Sequence, residues 1–107
     1  MRFDAFEISL LLVRSLRDVL TRLEARDTSL ANQIKRAAAS VPLNLKEGRR
    51  RTGKDRIHFW KIAAGSADEV QGALLVAEAF GYLEPAAIAE PLQFADRVLA
   101  MLWKLTR

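Results

Sequence analysis

The chain has 107 residues, half of them hydrophobic, a net charge of +4 and no cysteine. That suits one compact domain over 1–107 and excludes disulfides and thiolate metal sites. No stretch approaches the roughly 20 apolar residues that span a bilayer, and the acids of the opening MRFDAFE stand where a secretory signal would need a basic and then an apolar run, so a cytoplasmic protein is expected.

Five Gly and three Pro leave long uninterrupted segments, which favours helices over many short strands. The first segment runs about 5–26. Phe6, Leu10, Val13, Leu16, Leu20 and Leu23 recur at three- and four-residue steps, Ile8, Leu12 and Val19 widen the face, and Leu11 projects onto the polar side. The apolar arc is roughly 200°, wider than the ~100° of an ordinary surface helix, which fits a central position or contact with a second subunit. The second segment begins near Thr28 or Ser29, either of which can cap a first-turn N–H. Leu30, Ile34, Ala37, Val41, Leu45 and Gly48 form its stripe. The spacing stays in phase across Pro42, so a kinked but continuous helix is expected rather than a break.

Gly53 marks the next turn. The third segment, about 54–80, is expected to face inward with Ile57, Ile62, Ser66, Val70, Leu74 and Ala77. The small run from Ala63 to Ala67 reads as a helix-crossing point, and close packing there would offset the roughly 1 kcal/mol cost of Gly65 and of Gly72. Gly81 is a natural stop. Pro85 suits a first helical turn, and the fourth segment, about 85–105, turns Ile88, Leu92, Ala95, Leu99 and Leu102 inward. Four amphipathic helices joined by short turns make an all-α, antiparallel up-down-up-down bundle.

Charge is segregated along the chain. From Lys35 to Lys61 there are nine Lys/Arg against two acids, a net +7, while the remainder is −3. Such a local positive field points to phosphate-backbone contact through Lys35, Arg36, Lys46, Arg49, Arg50, Arg51, Lys54 and Arg56, with steep salt dependence. An acidic protein partner and a merely solvated face are the competing readings.

Several residues invite a chemical role and read better as structure. Ser40, Asn44 and Glu47 are expected to satisfy the backbone disturbed by Pro42, with Glu47 pairing a neighbouring Arg. His58 has neither a second His nor a Cys near it and reads as a surface residue, so no metal is expected. Ser66 lacks the histidine partner of a nucleophile, adjacent Asp68 and Glu69 diverge on a helix, and Thr52–Asp55 lacks the phosphate-loop glycine spacing. Trp60 and Trp103 read as core or interface anchors more than base-stacking platforms. The sum is a non-enzymatic protein with no catalytic residues and no cofactor.

The ordered pattern Gln33-Ile34-Lys35-Arg36-Ala37-Ala38, Ser40-Val41-Pro42-x-Asn44-Leu45-x-Glu47-Gly48, then Phe59, Ala63, Gly65-Ser66 and Glu69, then Gly81-Tyr82-Leu83, resembles the four-helix-bundle proteins named for the 23S rRNA intervening sequence. The resemblance covers about Phe3 to Leu105. It implies a protomer that assembles into a ring-like homopentamer. It also implies kinship with the accessory variability determinants of diversity-generating retroelements, basic barrels that bind nucleic acid and a reverse transcriptase. Lys46 departs from the family's small alanine, and ARDTS lacks the family's proline-containing turn.

Overall fold

The computed structural model describes residues 3–107, which form α1 (Asp4–Ser15), α2 (Arg17–Glu24), α3 (Thr28–Arg49), α4 (Gly53–Ala79) and α5 (Pro85–Leu105), with no strand among the described residues. α1 and α2 are two halves of one arm, and the bundle has four arms. The arm packs on α3, α3 most extensively on α4, α4 on α5, and α5 back on α1. With short turns between them, neighbours run antiparallel and the up-down-up-down order closes on itself.

At the split in the first arm the hydrogen-bond pattern changes. The Ser15 hydroxyl donates to the Leu12 carbonyl at 2.7 Å, and the Leu16 N–H turns to Val13 three residues back. Side-chain competition of this kind bends a helix. The regular pattern resumes with Leu20 N–H to Leu16 O. Burial centres on Ile8, Leu12, Leu16, Val19 and Leu23, whereas Phe6, Leu10, Val13 and Leu20 of the expected face lie at its half-buried flank.

α3 runs through Pro42 without a break, its stripe buried from Ala31 to Gly48. Its cap is Asp27, not Thr28 or Ser29: the Asp27 carboxylate accepts the Leu30 N–H at 2.9 Å. Asn44 Nδ2 donates to Ser40 O and Oγ, both at 2.9 Å, and Ser66 Oγ donates to Ser40 Oγ at 2.7 Å. These polar side chains therefore bridge α3 to α4. The carbonyl that Pro42 leaves without its usual donor is that of Ala38, so the network does not serve the purpose expected of it.

The inward face of α4 is Trp60, Ala63, Ala67, Val70, Ala73, Leu74 and Ala77; Ile62 is exposed and Ile57 and Ser66 are half-buried. Small residues form the crossing with α3, as Ala63 and Ala67, but Gly65 and Gly72 face open space, where a Cβ would meet nothing within 4 Å. Gly48 is the glycine that close packing requires, because a Cβ there would lie 2.5 Å from the Trp60 indole. That indole is buried and donates to the Leu45 carbonyl at 3.1 Å. His58 and Trp103 are both exposed, so Trp103 anchors nothing within the protomer.

α4 ends in a Schellman motif at Gly81, φ +80°: Gly81 N–H bonds Glu78 O and Tyr82 N–H bonds Ala77 O. α5 opens on Pro85 and also runs through a buried Pro91, absent from the sequence expectation; Val98 takes a core position while Leu92 and Leu99 are half-buried. The core has two connected halves. One lies around Leu12, Leu23, Ile34 and Leu74, the other around Ile8, Val41, Leu45, Trp60 and Leu102.

At the end of the bundle away from Trp60, Arg22 clasps Glu84 with two contacts of 2.9 Å, and the guanidinium's hydrogen bonds hold the Glu84 carboxyl below the usual carboxylate range. A depressed carboxyl adds stability above its unfolded pKa, and that contribution disappears as pH falls through the folded value. Arg22→Ala is expected to return the Glu84 titration, followed by carboxyl NMR, upward to the ordinary range. Gly48→Ala is expected to destabilise the fold by about 1–3 kcal/mol in urea denaturation, the cost of overpacking.

Candidate nucleic-acid interface

Six of the eight expected cationic residues gather at the bundle end where α3 hands over to α4: Lys46 and Arg49 on the last turn of α3, Arg50 and Arg51 in the turn, and Lys54 and Arg56 on the first turn of α4. Lys35 and Arg36 stand apart, about 15 Å back along α3 at 1.5 Å per residue. At 100° per residue, however, Lys35, Lys46, Arg50, Arg36 and Arg49 fall within one arc of roughly 140°. All five are exposed. The structure thus draws them into a longitudinal stripe that ends in the basic corner. Glu47, the one acid within α3, pairs with Arg51 at 2.9 Å, the arginine partner expected for it.

These cations differ in their attachments. Arg56 Nε donates to Gly48 O at 3.1 Å, a carbonyl that also accepts the Arg51 N–H at 3.0 Å, and its Nη2 to Arg49 O at 3.0 Å, so the guanidinium fork binds the end of α3. Its guanidinium also stands 5.4 Å from the Trp60 ring. Arg51 lies 5.0 Å over Phe59. Arg49 lies 5.2 Å over Phe3, and the Lys46 ammonium 5.5 Å over Phe6. Aromatic faces attract cations, so Lys46, Arg49, Arg51 and Arg56 are held in place rather than spread through solvent.

Between α1 and α3 this arrangement encloses an open groove of about 860 Å³, with Phe3, Phe6 and Leu10 at its base and Lys46, Arg49, Arg50 and Glu7 around it. The sequence reading assigned Phe6 to the core and gave Phe3 no role. The signal was there in outline: Phe3, Phe6 and Leu10 follow helical spacing but are offset from the Ile8–Leu12–Leu16 line. Among the described residues, no group of three or more His, Asp or Glu is placed to hold a metal ion, and no helix is long and apolar enough to cross a membrane.

A family model described as 23S rRNA-intervening sequence protein matches residues 2–104. Among solved structures, a protein of unknown function from the S23 ribosomal protein family of Bacteroides thetaiotaomicron superposes with a TM-score of 0.88 at 17% identity, covering 96% of this chain and 98% of its own. That likeness concerns the fold. No curated protein matches the chain.

Arg56→Ala is expected to cost about 1–2 kcal/mol in stability, because two carbonyls lose a charged donor. Arg56→Lys restores little, lacking the planar fork, whereas Arg50→Ala stays within about 0.5 kcal/mol; urea melts of the three variants make the comparison.

Proposed function

This chain belongs to the 23S rRNA-intervening sequence protein family, and from that membership we propose that it is a non-enzymatic, basic, oligomeric scaffold of the cytoplasm that grips the backbone of RNA or DNA. The observation that carries the reading is the α3 stripe. Lys35, Arg36, Lys46, Arg49 and Arg50 share one exposed face over roughly 22 Å, long enough to meet several phosphates of a strand that carries one charge per about 3.4 Å. Lys54 and Arg51 extend the field around the corner. Contacts of this kind track a backbone and carry no sequence information by themselves.

Assembly would multiply the stripe and add avidity. A second surface supports it. The outer face of α4 carries Ile62, Gly65, Glu69, Gly72 and Val76 at three- to four-residue steps, with Phe80 just past its end. Phe80 is 64% and Val76 45% exposed, and the two glycines leave that face flat. Exposed apolar side chains grouped on one face around a single carboxylate suit a protein contact. α4 lies diagonally across the bundle from the first arm, so copies joined there would leave the groove between α1 and α3 open. The assembly proposed is a homopentamer.

Replacing Lys46, Arg49 and Arg50 together by Gln is expected to weaken binding to any sequence and to reduce the slope of log K against log salt by about 2–3. Fluorescence anisotropy over a salt series reads both. An unchanged affinity and slope overturn the reading, and salt-sensitive capture of an acidic protein such as a reverse transcriptase after nuclease treatment, without nucleic-acid binding, replaces it. Val76→Glu is expected to shift the native mass from an oligomer to the protomer while the helical circular dichroism persists; a wild-type chain that is already monomeric overturns the assembly.

A further inference from the structure

We propose that the groove between α1 and α3 is a base pocket, and that the protein therefore selects single-stranded over duplex nucleic acid; this rests on the backbone-binding reading and adds the form of the ligand to it. The groove and the α3 stripe are continuous: Lys46, Arg49 and Arg50 end the stripe and also border the groove. A strand laid along α3 is thus delivered to an opening whose base is Phe3, Phe6 and Leu10. Its volume, about 860 Å³, falls within the 300–1,000 Å³ of ligand-sized clefts.

The chemistry of the lining separates the possible occupants. A duplex keeps its bases stacked and offers only sugar and phosphate to a side groove, so it would satisfy the cations and make no use of the apolar lining. An unstacked base supplies a flat π face to the aromatic base of the groove, and its own phosphate reaches the cations around it. Phe3 is braced for this role, with its ring 5.5 Å from the buried Trp60 ring and the Arg49 guanidinium 5.2 Å from its centre. Arginine adds a second flat, charged surface on which a base stacks. Three cations against one carboxylate, Glu7, match the negative charge of a nucleotide.

The test uses the full chain and two labelled DNA probes of about 12 nucleotides, one single-stranded and one a blunt duplex, with 2-aminopurine in the single strand to report stacking by quenching. Phe3→Leu/Phe6→Leu is expected to lose about tenfold in single-strand affinity, to abolish the quenching and to leave weaker duplex binding unchanged. Phe6→Tyr keeps the ring and is expected to bind as the parent does, which separates loss of stacking from loss of folding. Equal affinity for both probes, with no quenching and no effect of the Leu variant, overturns the base pocket and leaves the backbone reading standing. Failure of both probes to bind overturns both, as does binding of an acidic amphipathic peptide in their place.

Discussion

The contact on which the rest depends is the insertion of the Trp60 indole against Gly48. It needs a position without a Cβ on α3, since the indole lies where that atom would be, and it is secured by the Nε1–H bond to Leu45 O. α3 and α4 form the most extensive packing in the bundle, and this contact sets their separation close to the turn. Arg56 then reaches back to the Gly48 and Arg49 carbonyls, so the turn is fastened from both sides. The positive corner is built on that fastening. Its charges lie close together because the backbone beneath them is held by a buried aromatic ring and a guanidinium fork.

The cations divide by mechanism. Arg56 serves the fold, with two of its donors on backbone carbonyls, and Arg51 is shared between Glu47 and the Phe59 ring. Lys46 and Arg49 sit over rings at the mouth of the groove. A cation held over an aromatic face has lost much of its side-chain freedom before any ligand arrives, which lowers the entropic cost of binding a phosphate. The same rings give the groove its apolar base. Charge and stacking surface thus come from one set of paired side chains.

Two surfaces of different character lie on neighbouring helices. The outer face of α4 sets Ile62, Val76 and two glycines around the carboxylate of Glu69; the face of α3 is cationic and adjoins a groove. A helix buried on one side through Trp60, Ala63, Ala67, Val70 and Leu74, and carrying Ile62, Val76 and Phe80 on the other, has more apolar surface than one protomer can cover. The glycines at 65 and 72 fit this geometry: within the protomer nothing approaches them, so their cost in helix propensity has no return inside the bundle.

Periodicity alone determined the four arms, the turns at Gly53 and Gly81, the continuity of α3 through Pro42 and the clustering of positive charge, because each is a local property of spacing or backbone chemistry. Exact burial was less legible. On a wide apolar arc, as in the first arm, spacing cannot choose between the Phe6–Leu10 and Ile8–Leu12 sides. The switch of the Leu16 N–H to Val13 O was a local event hidden within a regular pattern. Only the tertiary structure decided that Gly48 admits Trp60, that Arg56 closes α3, and that Phe3 and Phe6 meet Lys46 and Arg49 from forty residues away to make a groove. Those contacts join helices distant in sequence, and no periodicity within one helix encodes where the side chains of another will arrive.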